Sequence, residues 1–326
     1  MKLFKERILP AIFMIIALLL FSFITQFFGP KNSQFGFGIR TFSLVTFSLI
    51  LIFAFYEISK VFRFEKMSQI VIICIALAIF FSPFLGIFYD PLLDIEDQKK
   101  ILYSKIISNH LQDFFSSWYV YMLFTIFYLT QLVRELIINR KILKQFNVLN
   151  SIFYRVNLFF IPSIFIILGL KFLCLLSFSN YLIYLLIIIV PIISDVSGFF
   201  VGGMIGKKII KRNLSSISPK KSWEGAIASF LFSSIFIVLF LSLTPALDSF
   251  ALLADLSTKS VTISIFSLTL PVMAMLGDLV FSLIKRAFEI KDYSNIFKGH
   301  GGLLDRIDSL LLVSSTCCIL IVLISI

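Results

Sequence analysis

The chain has 326 residues, of which 59% are hydrophobic and only 14% are charged, and its mean hydropathy is +1.01. This composition excludes an ordinary soluble domain, and repeated apolar runs of about 20 residues predict an all-α, polytopic integral membrane protein. The net charge of +11 does not indicate a nucleic-acid partner, because the basic loops are short and separated by membrane spans.

Nine predicted spans follow one another along the chain. The first has a basic flank, but its apolar stretch is too long for a secretory signal and lacks a small-residue cleavage site, so we expect it to be retained. The spans are expected at about residues 8–28, 39–56, 69–89, 114–133, 158–176, 181–203, 225–245, 261–284 and 307–326.

The loops between these spans differ in charge. When the N-terminus is placed in the cytoplasm, 22 of the 29 Lys and Arg residues fall on the cytoplasmic side. The longest loop on the other side, residues 90–113, is acidic. Nine spans therefore obey the positive-inside rule, with the N-terminus in the cytoplasm and the C-terminus outside.

The two parts of the chain differ in polarity, although no repeat or linker divides it and one continuous membrane domain is expected. Spans 1–5, within residues 1–180, are almost free of charge inside the membrane and predict a scaffold. Residues 181–326, with spans 6–9 and their cytoplasmic loops, carry the polar chemistry and predict the catalytic region. The four cysteines all lie in apolar segments, which indicates small hydrophobic side chains rather than disulfides or a zinc site.

Carboxylates occur near the cytoplasmic ends of three of the last four spans. At about 1.5 Å per residue, Asp195 lies about 12 Å from the end of span 6, and Asp278 lies about 9 Å from the end of span 8. Asp305 and Asp308 stand where span 9 begins, on one helix face. An intramembrane carboxylate costs about 2.5–3.5 kcal/mol, so it should be paired, coordinating or lining a wet cavity. We therefore expect these carboxylates to meet at one level.

Such a group of carboxylates, with lysines and arginines nearby, favours binding of Mg²⁺, whose coordination shell is completed by water and substrate phosphates. Two alternatives stay open. Asp305 and Asp308 can complement the dipole of span 9 as acids of its first turn. Asp195 and Asp278 can form intramembrane ion pairs.

Two loops could bind phosphate groups. The first loop has His300 flanked by Gly299, Gly301 and Gly302 before a helix N-terminus, where small residues let backbone N–H groups approach an anion. His300 can orient a phosphate, act as a general base or cap the loop. Residues 218–225 read Ser-Pro-Lys-Lys-Ser-Trp-Glu-Gly, which predicts either a turn with interfacial anchors or a triphosphate clamp. The same two interpretations, anchor or phosphate ligand, apply to Lys285, Arg286 and Arg306.

Together these motifs resemble the signature of the phosphatidate cytidylyltransferases, also called CDP-diglyceride synthases. That signature runs Ser-x-x-Lys-Arg, four residues, Lys-Asp, and then His-Gly-Gly-x-x-Asp-Arg-x-Asp. Its positions are filled here by Ser282, Lys285, Arg286, Lys291, Asp292, His300, Gly301, Gly302, Asp305, Arg306 and Asp308. Residues 218–225 resemble a second segment of the family, Ser-Pro-Lys-Lys-Thr-Trp-Glu-Gly. The segment around Asp195 resembles the Asp-rich helix of the family. The resemblance covers about residues 190–310, and its departures, at Lys298 and residues 196–199, remove no ionisable group.

The resemblance implies transfer of the cytidylyl group of CTP to phosphatidate, which gives CDP-diacylglycerol and pyrophosphate for phospholipid biosynthesis. It implies Mg²⁺ as the cofactor, with a second metal ion or a monovalent cation left open. The expected partners are CTP, phosphatidic acid and membrane lipids, without nucleic acid and with a homodimer left open. The expected location is the inner or plasma membrane, with the active site facing the cytoplasm.

The site residues expected from these arguments fall into three groups. The metal ligands are Asp278, Asp305 and Asp308. The catalytic group contains Asp278, Asp305, Asp308, His300, Lys285, Arg286 and Arg306. The substrate-binding group contains Asp195, Ser218, Lys220, Lys221, Trp223, Glu224, Ser282, Lys291, Asp292, Gly301 and Gly302.

Two rival functions are left open. A CTP-dependent polyprenol kinase would handle the same nucleotide but transfer its γ-phosphoryl group to a lipid alcohol. An ion-coupled secondary transporter would use Asp195 and Asp278 as an ion relay. Against the transporter, the spans show no inverted repeat and the polar residues cluster near one membrane face.

Overall fold

The computed structural model describes residues 20–21, 23–25, 34–82, 110–138, 146–206, 208, 210, 214–215, 218, 221–247, 256–294 and 301–325. These residues are mainly helical and contain no extended strand, as an all-α membrane protein requires. The helices are α1 (Gln34–Val61), α2 (Lys66–Phe81), α3 (Trp118–Ile138), α4 (Phe146–Ser179), α5 (Tyr181–Met204), α6 (Trp223–Leu243), α7 (Leu256–Ala287) and α8 (Leu304–Ser325).

Seven of these helices, all except α2, are long and apolar enough to cross a membrane. They correspond to the second predicted span and to the fourth to ninth, which confirms the polytopic all-α fold. The 16-residue helix α2 covers only part of the third predicted span, and the remainder lies outside the described residues. The first predicted span, 8–28, also lies almost entirely outside them. The total of nine spans and the orientation of the N-terminus stay predictions.

Three helices extend well beyond their predicted spans. Helix α1 runs from Gln34 to Val61 rather than from 39 to 56. Helix α4 begins at Phe146 rather than near residue 158, and α7 runs from Leu256 to Ala287 rather than from 261 to 284. The additional turns contain polar residues, which hydropathy excludes from a span but which a helix accommodates outside the apolar layer. At the end of α7, Lys285 and Arg286 are placed where cations complement the helix dipole.

Contacts between helix ends agree with alternating directions of the spans. At one end of the bundle, the guanidinium of Arg134 in α3 donates a 3.1 Å hydrogen bond to the carbonyl of Arg63, just after α1. At the other end, the ammonium of Lys171 in α4 donates to the carbonyls of Phe80 and Ser82, where α2 ends. The ends predicted to face the cytoplasm therefore lie together, and we call this the polar end of the bundle.

Helices α5 to α8 pack on one another and carry the polar residues of the second half. A Cβ on Gly225 of α6 would lie 2.9 Å from the carbonyl oxygen of Gly198 in α5. A Cβ on Gly277 of α7 would lie 2.8 Å from the Cα of Ser309 in α8. Glycine at these contacts lets the helix backbones approach closely, as in other membrane bundles.

Helix α4 connects the two halves of the bundle. It packs on α1 and α3 from the first half and on α5 and α8 from the second. Ser314 of α8 donates a 2.8 Å hydrogen bond to the carbonyl of Gly169 in α4. Cys174 and Cys318 are buried in the shared core as free thiols, as expected for small hydrophobic side chains.

Candidate active site

Three carboxylates from three helices meet at the polar end of the bundle. Asp195 lies on α5, Asp278 on α7 and Asp308 on α8, and each interacts electrostatically with the other two. The close approach of α7 and α8 at Gly277 places Asp278 beside the first turns of α8. We call these three residues the acidic cluster. Because like charges in a partly desolvated site repel one another, this arrangement favours a cation between them.

One cation already reaches the acidic cluster. The ammonium of Lys221, directly before α6, forms an ion pair with Oδ2 of Asp278, and Ser282 Oγ donates a 3.1 Å hydrogen bond to Oδ1. This is the ion pair that the sequence left open, formed with a loop lysine rather than with a residue of another span. The side chains of Lys221 and Asp278 are 33% and 27% exposed, so the ion pair is accessible to solvent and to ligands.

The other two members of the cluster keep unoccupied oxygens. Oδ1 of Asp308 accepts hydrogen bonds from the backbone N–H and the hydroxyl of Ser309, at 2.7 and 3.2 Å. Among the described residues, no donor reaches Oδ2 of Asp308 and none reaches the carboxylate of Asp195. These oxygens are therefore available to a metal ion or to water.

Asp305 is held differently from the acidic cluster. Lys285 Nζ donates to Oδ1 at 2.8 Å, and the backbone N–H groups of Tyr293 and Gly302 donate to Oδ2 at 2.9 Å each. The side chain is only 7% exposed. Three donors occupy both oxygens, and the side chain is much less exposed than that of Asp278, so the structure favours an anchoring role and the metal contact predicted for Asp305 stays a prediction. This arrangement fits the alternative of a first-turn acid that organises the N-terminus of α8.

Tyr293 packs beside this ion pair and stabilises the same region. Its hydroxyl donates a 2.9 Å hydrogen bond to the carbonyl of Phe281, and Lys285 Nζ lies 5.6 Å from its ring centroid. Burial, and then the carboxylates of Asp305, Asp308 and Glu57, raise the pKa of the phenol well above its ordinary value of 10.0. Tyr293 therefore stays a neutral hydrogen-bond donor at physiological pH.

Glu57 of α1 is the residue of this region that sequence reasoning missed. Its side chain is fully buried, and it accepts hydrogen bonds from Ser294 Oγ at 2.6 Å, from Leu303 N at 2.9 Å and from Leu304 N at 2.8 Å. Helix α1, which belongs to the part of the chain predicted to be a scaffold, therefore contributes a carboxylate to the start of α8. A glutamate at the end of an apolar run was the available signal, since such a group requires a partner.

The two described glycines before α8 fit closely around these carboxylates. Gly301 has a φ of +81°, which a residue with a side chain rarely adopts. A Cβ on Gly302 would lie 2.6 Å from Oε1 of Glu57. The N–H groups of Gly302, Leu303 and Leu304 already donate to Asp305 and Glu57, so these amides are not free for a substrate anion.

The second predicted phosphate loop, of which Ser218 and residues 221–225 are described, contacts the acidic cluster through Lys221. Ser222 is the N-cap of α6, and its Oγ accepts from Gly225 N at 3.2 Å. Glu224 is buried and accepts a 2.8 Å hydrogen bond from Ile210 N, so it holds the preceding segment in place. Trp223 is 42% exposed and remains accessible to a ligand or to lipid.

A cavity of about 420 Å³ lies between α5, α6 and α7, beside the acidic cluster. Asp195, Ser218 and Lys221 give it polar groups, whereas Phe199, Met275 and Leu279 line it with apolar surface. A site of this kind can receive a molecule with a charged head and a hydrocarbon tail.

The other predicted residues divide into two groups. The exposed side chains of Arg286, Lys291, Asp292 and Arg306 lie in or next to the helix ends at the polar end of the bundle. Lys220 and His300 lie outside the described residues, so their roles stay predictions.

The carboxylates of the acidic cluster have the donor chemistry that Mg²⁺ requires. Within the described ranges, no three His, Cys, Asp or Glu side chains are placed so that they could hold one metal ion between them. Mg²⁺ does not need such a protein cage, because it usually keeps several waters and binds one or two carboxylates together with substrate phosphates. The unoccupied oxygens of Asp195 and Asp308, next to Asp278, fit that mode of binding.

Comparison with known proteins agrees with this geometry. The chain is 36% identical over 130 residues to a phosphatidate cytidylyltransferase of Helicobacter pylori, covering 40% of this chain and 42% of that protein. It is 39% identical over 163 residues to the enzyme of that name from Aquifex aeolicus, covering 50% and 54%. It is 34% identical over 134 residues to the one from Bacillus subtilis, covering 41% and 44%. The matches thus span about half the length of these curated relatives.

The match to a family as a whole is more extensive than the pairwise matches. The model of the Cytidylyltransferase family aligns with residues 5–324. This match, which covers nearly the whole chain, shows that the chain belongs to the Cytidylyltransferase family.

Proposed function

We propose that this protein transfers the cytidylyl group of CTP to phosphatidate and forms CDP-diacylglycerol and pyrophosphate. Family membership and the names of the curated relatives support the proposal. The observation that carries it is the acidic cluster of Asp195, Asp278 and Asp308, which lies beside Lys221 and a cavity with both polar and apolar walls. Such a site can bring a lipid phosphate and a nucleotide phosphate together.

In the proposed reaction, an oxygen of the lipid phosphate attacks the α-phosphorus of CTP. The bond from that phosphorus to the oxygen bridging to the β-phosphate breaks, and pyrophosphate leaves with this oxygen. A phosphate monoester is a competent nucleophile near neutral pH, so the reaction needs little help from a general base. The main obstacle is repulsion between two anionic reactants, which cations at the site reduce.

The acidic cluster would hold the metal ion. We assign Asp278 and Asp308 as ligands, with Asp195 beside them, while Asp305 keeps its place as the anchor between α7 and α8. When bound, Mg²⁺ would neutralise negative charge on the phosphates. The three carboxylates are also compatible with a second metal ion or a monovalent cation.

Basic residues around the cluster would bind the phosphate groups. In the structure Lys221 is paired with Asp278, and this ion pair satisfies both charges. An incoming triphosphate offers Lys221 a more highly charged partner, so the lysine can move from Asp278 to the nucleotide. Arg286 and Arg306 lie at the polar end of the bundle, and His300 is predicted to complete the phosphate pocket.

The cavity would receive phosphatidate. Its phosphate would lie near Lys221, and its acyl chains would pass Phe199 and Leu279 toward the membrane interior. Because CTP is soluble in water and most of the described basic residues lie at the polar end of the bundle, we propose that this end faces the cytoplasm from the inner membrane.

Purified protein, phosphatidic acid and CTP test this proposal. CTP labelled with ³²P at the α position should transfer its label to the lipid in the presence of Mg²⁺, whereas γ-labelled CTP should release its label as pyrophosphate. γ-Label that enters a lipid alcohol would support a polyprenol kinase instead. Absence of α-label in the lipid under all conditions would refute the proposal, and substrate uptake into proteoliposomes without CTP would favour a transporter.

A further inference from the structure

Glu57 joins the first half of the chain to the residues around the acidic cluster. The α7–α8 connection is described at both of its ends, in residues 288–294 and 301–303. The carboxylate of Glu57 binds Ser294 at the first end and Leu303 at the second. We infer that Glu57 is a positioning residue, which fixes the two described ends of this connection and the first turn of α8 in the conformation that the reaction requires.

Direct contact between Glu57 and a substrate is excluded by its surroundings. The residue is 0% exposed. Oε1 accepts from Ser294 Oγ and Leu303 N, and Oε2 accepts from Leu304 N. A carboxylate with three donors and no access to solvent can act on the reaction only through the groups that it holds.

The path from Glu57 to the acidic cluster is short. Leu303 and Leu304 have no intrahelical acceptor for their N–H groups, because they lie at the start of α8. Glu57 provides that acceptor from another helix, and its negative charge favours the positive end of the α8 dipole. Asp308 lies one turn further along α8, so the position of this first turn determines where its carboxylate lies.

A second carboxylate fastens the same connection. Asp305 accepts from Tyr293 N at the first end and from Gly302 N at the second, while Glu57 accepts from the neighbouring Ser294 and Leu303. Asp305 in turn binds Lys285 at the end of α7. Removing Glu57 therefore leaves one anchor where there were two, and both the Lys285–Asp305 pair and Asp308 should lose their fixed positions.

The chain offers a matched control for loss of a buried glutamate. Glu135 of α3 is 3% exposed and forms ion pairs with Arg134 at 2.7 Å and with Arg155 at 3.8 Å. These two ion-pair partners lie on α3 and α4 rather than on α8. Glu135→Gln should therefore affect global stability without affecting the acidic cluster.

The test compares Glu57→Gln with Glu135→Gln in full-length protein. A glutamine at position 57 turns an NH₂ group toward a backbone N–H, so one amide of Leu303 or Leu304 loses its acceptor. Hydrogen exchange of these two amides should rise roughly tenfold or more, and kcat for CTP-dependent product formation should fall roughly tenfold to a hundredfold per folded protein. Glu135→Gln should leave both quantities near wild type.

The kinetic part of this test rests on the proposed function, whereas the exchange part does not. An inactive wild type would refute the proposed function and leave hydrogen exchange to decide the role of Glu57. Wild-type exchange at Leu303 and Leu304 in Glu57→Gln would overturn the inference, as would a kcat loss matched by Glu135→Gln.

Gly302→Ala keeps the inference testable if Glu57→Gln does not fold. The new Cβ would lie 2.6 Å from Oε1 of Glu57, so the carboxylate must move. Gly302→Ala should therefore increase exchange at Leu303 and Leu304, whereas Gly38→Ala, whose added Cβ has nothing within 4 Å, should leave it at the wild-type rate. Wild-type exchange at both amides in Gly302→Ala would overturn the inference.

Discussion

Gly277→Ala tests whether the close approach of α7 and α8 sets the geometry of the acidic cluster. The added Cβ would lie 2.8 Å from the Cα of Ser309 and 2.9 Å from the carbonyl oxygen of Asp308. Both are backbone atoms, so neither can rotate away. To restore an ordinary contact of 3.4 Å, the two helices must separate by about 0.6 Å. Overpacking of this kind costs about 1–3 kcal/mol of stability.

The same displacement should reduce catalysis, because Asp278 and Asp308 lie on the two helices that move apart. A misplacement of about 1 Å at a reacting site costs about a hundredfold in rate, so a separation of this size should cost roughly tenfold. The assay measures thermal unfolding in detergent and transfer of α-label from CTP to phosphatidate per folded protein.

Gly38→Ala is the matched control for this substitution. It lies on α1, and nothing stands within 4 Å of the position of its Cβ. Alanine there should stabilise the helix by about 0.5–1 kcal/mol and leave turnover unchanged. If Gly277→Ala has the same unfolding temperature and the same turnover as Gly38→Ala, the argument from helix contact is wrong.

Four further predictions concern single groups. Asp278→Asn should reduce CTP-dependent product formation at least a hundredfold while the protein still inserts, and wild-type turnover would contradict the metal assignment. His300→Ala should lose less activity than Asp278→Asn, and an equal loss would show that His300 acts as an acid–base group. Lys221→Met should weaken CTP binding more than Lys221→Arg, which keeps the charge; equal binding by both variants would exclude a charge contact. The raised pKa of Tyr293 favours the neutral phenol, so the contribution of this residue to stability should be constant below a pH of about 10 and decline above it. The melting temperature of Tyr293→Phe should therefore fall less steeply above a pH of about 10 than that of the wild type. Parallel curves of melting temperature against pH would contradict this.

The spans could be predicted because a membrane imposes simple conditions on a helix. Hydropathy placed α5, α6 and α8 within a few residues of their ends, since the apolar layer requires about 20 residues per crossing. It missed the early start of α4, because polar turns outside that layer carry no hydropathy signal.

The convergence of Asp195, Asp278 and Asp308 could also be predicted, since their distances from the helix ends match. The partners of each carboxylate could not be predicted in the same way. Asp305 and Asp308 share a helix face, but only the folded connection shows that Asp305 has three donors and Asp308 keeps an unoccupied oxygen. Glu57 is distant in sequence from every motif, so its contact with α8 depends on tertiary packing alone.

Binding of Mn²⁺ in place of Mg²⁺, followed by electron paramagnetic resonance in the presence of CTP, tests most directly whether the acidic cluster holds a divalent cation. The expected result is a bound Mn²⁺ in the wild type that is lost or strongly weakened in Asp278→Asn and Asp308→Asn. It should persist in folded Asp305→Asn, because the side chain of Asp305 is only 7% exposed and binds Lys285, Tyr293 and Gly302, whereas that of Asp278 is 27% exposed. Unchanged Mn²⁺ binding in both Asp278→Asn and Asp308→Asn would contradict the account.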